Sequence, residues 1–124
     1  MKTTKFAFED LEVWRKSVDF ANKVISFAEE IKTDRKHYRL IEQLEAASTS
    51  VALNIAEGKG RYSKKEFTQF LYIARGSLYE TITLLIIFHQ RGWISEENLD
   101  ESKDLGEHIG KMLSSLINSI KKSL

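Results

Sequence analysis

Apolar residues recur every three or four positions along nearly the whole chain, which is the spacing of one face of an α-helix. The sequence contains no proline, the residue that most strongly interrupts helices, so long helices are possible. Glycines and capping residues divide the pattern into four segments. We therefore predict four helices, over about residues 10–31, 35–57, 63–91 and 95–122.

The clearest helix boundaries are those of the third and fourth helices. Residues 63–66 read Ser-Lys-Lys-Glu, a capping box, and Tyr62 and Phe67 stand at the two positions of a hydrophobic staple. Gly92 is expected to end the third helix in a left-handed conformation. Ser95 is expected to cap the start of the fourth helix.

The first helix carries more apolar surface than one core-facing side needs. One stripe, with spacings of three and four, consists of Leu11, Trp14, Val18, Ala21, Ile25 and Ala28. A second stripe, about 100° around the helix, consists of Val13, Phe20, Val24, Phe27 and Ile31. We expect the first stripe to face the core and another subunit to cover the second, because an exposed row of this size is unusual for a monomer.

The second half of the third helix is apolar in almost every direction, over residues 82–88. A helix that is apolar all round is a buried helix, and in a single-layer bundle such burial requires neighbouring subunits. A short buried strand over the same residues is the alternative, although the chain offers no second strand. These patterns predict a homo-oligomer, with Ile86 and Ile87 joining the second stripe of the first helix in the interface.

The second helix combines a narrow apolar stripe with small and polar residues. Small side chains over residues 46–50 allow a close approach of another helix, and Gly76 and Ser77 are expected to face them. Four polar residues share one edge of the stripe, namely Gln43, Ser50, Asn54 and Glu57. They could form a functional polar site, but we favour a buried hydrogen-bond network that fixes the register of the helices.

The overall composition excludes several classes of function. The chain has 19 Lys and Arg against 18 Asp and Glu, so it is neither a strongly basic module nor an acidic tail. It has no cysteine, which removes disulfides and thiolate zinc sites and is typical of a reducing compartment. The longest apolar stretch, residues 84–88, is far shorter than the roughly 20 residues of a membrane span. We expect a single-domain cytoplasmic protein that makes no membrane contact.

No motif in the sequence points to catalysis. His37, His89 and His108 lie on different predicted elements and form no Glu-x-x-His or His-Glu-x-x-His pair. Residues 58–61 read Gly-Lys-Gly-Arg and lack the Gly-Lys-Ser/Thr ending of a phosphate-binding loop. We therefore expect no catalytic residue, no metal and no cofactor.

One local charge anomaly stands out, because residues 58–65 contain four basic residues and no acid. It lies beside the predicted start of the third helix, where free amides and the helix dipole also favour anions. We predict that nucleic-acid phosphates bind there, to Lys59, Arg61, Lys64 and Lys65. The alternative is a solvated turn without a ligand, whose charges only keep an oligomer with apolar surfaces soluble. The opposite end is expected to be basic as well, through Lys32, Arg35, Lys36 and Arg39.

Residues 54–58 read Asn-Ile-Ala-Glu-Gly, and residues 76–78 read Gly-Ser-Leu. With these two motifs as its most specific parts, the chain from about Phe8 to Leu116 resembles the proteins encoded by intervening sequences of bacterial 23S ribosomal RNA genes. The resemblance implies an all-α, antiparallel up-down-up-down four-helix bundle that assembles as a homopentameric ring, with no enzymatic activity assigned. The motif positions, which we interpret as structural, are Gln43, Ser50, Asn54, Glu57, Gly58, Gly76, Ser77 and Glu80.

The predicted function combines this resemblance with the four cations of residues 58–65, a segment that we call the basic turn. We predict a non-catalytic homo-oligomer, pentameric by the resemblance, that binds the backbone of RNA or DNA. The chain is also similar to the accessory protein of diversity-generating retroelements, a pentameric barrel that binds nucleic acid through a positive surface. The alternative is a protein-interaction adaptor or scaffold that binds no nucleic acid, and an enzyme is the least favoured class.

Overall fold

The computed structural model describes residues 4–33 and 37–124, and these residues form four α-helices and one short 3-10 helix. The helices are α1 (Glu12–Glu29), α2 (Tyr38–Lys59), α3 (Lys64–Gln90) and α4 (Glu96–Lys122), preceded by the 3-10 helix Ala7–Asp10. Over this described part no residue lies in a β-strand, and α3 runs through residues 82–88, so the strand alternative is wrong. The predicted start of the second helix at residue 35 lies outside the described residues.

The starts of α3 and α4 are capped by serine side chains, as their sequences predict. The Ser63 hydroxyl accepts a hydrogen bond from the Glu66 backbone N–H at 3.1 Å. The Ser95 hydroxyl accepts one from the Asn98 backbone N–H at 3.0 Å. Each serine thereby satisfies a backbone donor that has no partner within the helix.

The end of α3 is set by Gly92, whose φ of +79° lies in the left-handed region that side chains avoid. Its N–H donates to the His89 carbonyl at 2.9 Å, and the Trp93 N–H donates to the Phe88 carbonyl at 2.9 Å. This pair of bonds is the Schellman arrangement, so the predicted role of Gly92 is confirmed.

The four helices pack side by side around one core. Helix α1 contacts α2 and α4, and α3 contacts the same two helices. The largest side chains with less than 2% exposure come from all four helices and include Phe20, Leu44, Ile55, Leu71, Phe88, Ile109 and Leu113.

The core includes much of the α1 stripe that we expected between subunits. Phe20 and Val24 are fully buried and Val13 is 4% exposed, so the prediction that these three residues lie in an oligomer interface is wrong. The physical reason is that α1 packs against both α2 and α4, which together cover a wide apolar arc within one chain. Phe27 and Ile31, at the end of the stripe, are only half-buried.

The expectation that the whole first stripe of α1 faces the core is wrong, because only its two alanines, Ala21 and Ala28, are buried. On α1, Trp14, Val18 and Ile25 of the first stripe are half-buried and line an open groove against α2, beside the 65% exposed Leu53. On α3, a row of outward residues spaced by three or four is exposed. We call this row the outer face of α3, and it consists of Ile73, Gly76, Tyr79, Thr83 and Ile87.

The apolar second half of α3 is covered mostly by its own chain. Leu84, Leu85 and Phe88 are buried, Ile86 is half-buried, and Ile87 is 42% exposed. Neighbouring helices of the same chain therefore account for most of the burial that we attributed to other subunits. Of the two α3 residues predicted in the interface, Ile87 has the larger accessible surface.

Candidate nucleic-acid interface

The turn between α2 and α3 presents the four predicted cations at one end of the molecule. Helix α2 ends at Lys59, and the Gly60 N–H donates to the Ala56 and Glu57 carbonyls at 3.2 Å. Four residues after Lys59, Ser63 caps α3. The short connection places two cations before the α3 cap and two after it, and all four side chains are exposed, namely Lys59, Arg61, Lys64 and Lys65.

Aromatic rings of α3 support two of these cations. The Lys59 ammonium lies 5.8 Å from the centre of the Phe67 ring, and the Arg61 guanidinium lies 4.7 Å from the centre of the Phe70 ring. Cation–π contacts at exposed sites contribute about 0.5–1 kcal/mol each. Arg61 also pairs with the Glu57 carboxylate at 2.8 Å. These contacts hold the two side chains against the α2–α3 junction.

The two lysines of α3 have fewer contacts. The Lys64 ammonium donates to the Ser123 hydroxyl at 3.2 Å, and Lys65 makes no hydrogen bond or ion pair to any residue that the structure describes. Exposed lysines without an acidic partner keep their charge accessible, and Lys65 has the fewest contacts of the four cations of this turn.

The contact between Lys64 and Ser123 brings the last turn of α4 to the same end of the molecule. Lys121 donates to the Tyr72 hydroxyl at 2.7 Å, and Lys122 is exposed beside it. The sequence alone does not bring these two lysines to the site, because their nearness to the α2–α3 turn depends on how α3 and α4 pack. We call the combined cluster the basic end, and it consists of Lys59, Arg61, Lys64, Lys65, Lys121 and Lys122.

Two carboxylates lie within or beside the basic end, and neighbours engage both of them. Glu57 is paired with Arg61, and the Glu66 carboxylate accepts a hydrogen bond from the Ser63 hydroxyl at 3.1 Å. The 3-10 helix also packs on α2, and its Asp10 is paired with Lys5 at 3.1 Å. Glu57, Glu66 and Asp10 therefore each have a contact within the chain.

The opposite end of the molecule is only partly described. Lys32 and Arg39 are exposed, whereas Arg35 and Lys36 lie outside the described residues. The expectation of a second basic end stays a prediction.

Three of the polar motif residues meet between α2 and α3. The Ser50 and Ser77 hydroxyls lie 2.9 Å apart, and the Asn54 side-chain amide donates to the Ser50 carbonyl and hydroxyl, both at 2.8 Å. The three side chains are half-buried, so water has limited access to these bonds. The arrangement links the two helices that carry the basic turn.

Gly58 brings α2 and α3 into close contact. A Cβ atom built on Gly58 would lie only 2.6 Å from the Phe70 Cβ and 3.0 Å from the Phe67 Cδ1. Any side chain at this position would push the start of α3 away, so the glycine positions the basic turn.

The remaining motif residues do not join this network. Gly76 is exposed, and a Cβ there would meet nothing within 4 Å, so the expectation that it faces the small residues of α2 is wrong. It lies on the outer face of α3 because α3 turns Ser77, the next residue, toward α2. Gln43 and Glu80 are exposed and make no hydrogen bond within residues 4–33 and 37–124.

The hydrophobic staple predicted at the start of α3 is also absent. Tyr62 is fully exposed, with a relative exposure of 103%, and does not pack on Phe67. The Phe67 ring is occupied instead by the Gly58 backbone and by the Lys59 ammonium. The close approach of α2 to α3 thus displaces the tyrosine into solvent.

The described residues bring no metal-ligating cluster together. His37 stacks on Trp93 with ring centres 4.6 Å apart, whereas His89 and His108 lie on different helices. Within the described ranges, no group of three His, Cys, Asp or Glu side chains could hold a metal ion.

Helix α3 is long and apolar enough to cross a membrane by length and composition alone. Core helices of soluble proteins meet the same criteria, and α3 contacts both α2 and α4 along its length. The expectation of no membrane contact stays a prediction.

Comparison with known proteins links the chain to one family. The family model described as 23S rRNA-intervening sequence protein matches residues 9–115. A crystal structure of a protein of unknown function from the S23 ribosomal protein family of Bacteroides thetaiotaomicron is similar, with a TM-score of 0.79 and 25% sequence identity. The similarity covers 86% of this chain and 95% of that one. No curated protein matches the chain.

Proposed function

Because the chain belongs to the 23S rRNA-intervening sequence protein family, we propose that it is a non-catalytic, ring-forming homo-oligomer that binds the backbone of RNA or DNA through its basic end. The observation that carries the proposal is the convergence of six cations from the α2–α3 turn and the last turn of α4. Phosphate backbones bind such clusters mainly through release of condensed counterions.

Repetition of the basic end around an oligomer strengthens the proposal. A single subunit has a formal net charge of only +1, so attraction to a polyanion must come from local clusters. Once one site of an oligomer has bound a long ligand, the other sites meet that ligand at a high effective concentration. The avidity can therefore exceed the affinity of one site by about 10²–10⁴-fold. A pentameric ring, as implied by the family resemblance, would display five such clusters on one nucleic acid.

The antiparallel up-down-up-down topology of each subunit is part of the same proposal. Contacts join the start of α3 to the end of α4, as in Lys64 with Ser123, and a later α3 residue to an earlier α4 residue, as in Arg75 with Ser114. Similarly, Ser77 of α3 meets Ser50 of α2. These pairings favour neighbouring helices that run in opposite directions, and they put the α2–α3 turn and the α4 C-terminus at one end.

The outer face of α3 is the surface that we propose to join subunits. Ile73 is 52% exposed, and Tyr79 and Ile87 are also exposed. Exposed apolar side chains arranged in a row mark interaction surfaces more often than isolated ones do. Gly76, in the middle of the row, leaves room for another helix to approach closely.

The binding proposal is tested by fluorescence anisotropy with labelled fragments of 23S ribosomal RNA. We expect binding at about 50 mM salt that weakens steeply as salt is raised, since each phosphate contact releases counterions. Changing Lys59, Arg61, Lys64 and Lys65 together to glutamine should weaken binding and flatten the salt dependence by about one unit of slope for each lost contact.

Lys103 provides a matched control for this experiment. It is an exposed α4 lysine whose position is about 28 Å along the helix from Lys122, at 1.5 Å of rise per residue. Lys103→Gln should leave the affinity unchanged. Absence of binding at low salt, or equal affinity of the fourfold variant and the parent, would contradict the proposal.

The groove between α1 and α2 favours a second candidate function, that of a protein-interaction adaptor. Its lining is mainly apolar and includes Phe8, Trp14, Val18 and Leu53. Such a groove suits an amphipathic helix of another protein. A pull-down that recovers one stoichiometric protein and no nuclease-sensitive material would support the adaptor and count against the nucleic-acid proposal.

A further inference from the structure

Tyr62 is the most exposed aromatic residue of the described chain, and it stands in the middle of the basic turn. Its relative exposure is 103%, and it follows Arg61 directly and precedes Lys64 by two residues. Among the residues that the structure describes, none makes a hydrogen bond or ring contact with it. An aromatic side chain with no packing role in the fold leaves both ring faces accessible.

The neighbouring aromatic rings differ from Tyr62 in this respect. Phe67 and Phe70 carry the Lys59 and Arg61 cations, as described above. Tyr72 lies between the Arg75 guanidinium at 5.0 Å and the Lys121 ammonium at 5.1 Å. Three cations of the basic end therefore lie over other rings of α3, and no cation–π contact covers the Tyr62 ring within the described residues.

We propose that Tyr62 stacks on an unpaired base, so that the basic end selects single-stranded RNA or DNA over duplex. This inference rests on the nucleic-acid-binding function proposed above. Proteins that bind single strands without strong sequence preference combine cations that follow the phosphates with exposed aromatic rings that stack on bases. In a duplex the faces of each base are covered by neighbouring bases, so an exposed tyrosine has no free base on which to stack.

The cations of the basic end and the Tyr62 ring contribute to binding in different ways. The cations of the basic end attract any polyanion, single- or double-stranded, and this attraction falls as salt is raised. Tyr62 adds a contribution that depends on an accessible base and is much less sensitive to salt, because stacking involves no counterion release. RNA and DNA single strands both supply this chemistry, since every base has a π-face.

The test compares affinities for single-stranded and duplex oligonucleotides of one sequence by fluorescence anisotropy, in RNA and DNA forms. The full chain is used as the parent and as Tyr62→Ala, Tyr62→Phe and Tyr38→Ala. Tyr38 is the matched comparison because it is also exposed, by 60%, and lies at the start of α2 beside Arg39, at the opposite end of the molecule, so the two alanine variants show which end contacts the base. Circular dichroism checks that each variant keeps its helices.

We expect Tyr62→Ala to lower single-strand affinity roughly 5- to 150-fold, the range that corresponds to the loss of one stacked base, and to leave duplex affinity unchanged. Tyr62→Phe should keep most of the single-strand affinity, since the ring remains, and Tyr38→Ala should match the parent. Ultraviolet crosslinking of bound single strand at Tyr62, mapped by mass spectrometry, provides a second readout.

Two different failures are distinguishable. If the parent binds oligonucleotides but Tyr62→Ala binds single strands equally well, or if the parent prefers duplex, the stacking inference is overturned while the proposed function survives. If the parent binds no oligonucleotide at low salt, both the inference and the proposed function are overturned.

Discussion

Gly58→Ala should destabilise the protein, because the structure leaves no space for a side chain where α2 ends. The added Cβ would lie 2.6 Å from the Phe70 Cβ, and real Cβ atoms essentially never approach so closely. The Phe70 Cβ is attached directly to the α3 backbone, so relief of the clash requires movement of α3 itself. The hydrogen-bonded Ser50–Ser77 pair holds the two helices against such movement.

The expected cost follows from two opposing effects. Overpacking of a close contact costs about 1–3 kcal/mol, whereas replacing glycine by alanine inside a helix gains up to about 1 kcal/mol. Gly58 is the second-to-last residue of α2, where the helix gain is smaller. The free energy of unfolding should therefore fall by about 1–2 kcal/mol, which lowers Tm by roughly 4–10 °C.

Urea unfolding followed by far-ultraviolet circular dichroism measures this change, at one fixed protein concentration because the proposed assembly would couple to folding. Gly110→Ala is the matched control. Its new Cβ would lie 3.5 Å from Leu78, an ordinary contact, so the helix gain should dominate and raise stability by about 1 kcal/mol. A Gly58→Ala protein as stable as the parent would refute the close-packing argument.

The remaining predictions concern the core and the proposed subunit surface. Phe20→Asp should abolish most of the helical circular dichroism, because it places a charge at a fully buried position; a folded variant of lower mass would contradict this. Ile73→Asp should keep the helices but lower the mass measured by light scattering, and an unchanged mass would exclude this surface. Ser102→Ala should raise the free energy of unfolding by about 1 kcal/mol, since the buried hydroxyl has no hydrogen-bond partner within the described residues; a loss of stability would count against it.

The family and the helical content were predictable from the sequence. Helix periodicity, serine caps and the glycine at the end of α3 are local signals, and the structure has four helices and no strand in its described part. The family predicted from residues 54–58 and 76–78 is confirmed by a family model that matches residues 9–115.

The roles of the two α1 stripes were not predictable in the same way. A helical pattern shows which residues share a face, but not how many neighbours cover that face. Helix α1 packs against both α2 and α4, so Phe20 is buried within the chain, whereas Trp14 and Val18 remain at the edge of a groove. The subunit interface that we propose is consequently on the outer face of α3 rather than on α1.

The candidate site was predictable only in its contiguous part. Lys59 and Lys65 are six residues apart in the sequence, so their clustering is visible without a structure. Lys121 joins them only through the packing of α4 on α3. Tyr62 was assigned to a staple from local sequence, and its exposure results from the contact between Gly58 and α3, which lies outside the staple pattern.

Native mass spectrometry of the protein mixed with a single-stranded RNA oligonucleotide tests the central claim most directly, because one spectrum reports both assembly and binding. The account predicts a complex that contains several chains of 14.3 kDa, five by the resemblance described above, together with bound oligonucleotide. A single free chain of 14.3 kDa at micromolar concentration and low salt, with no bound RNA, would contradict it.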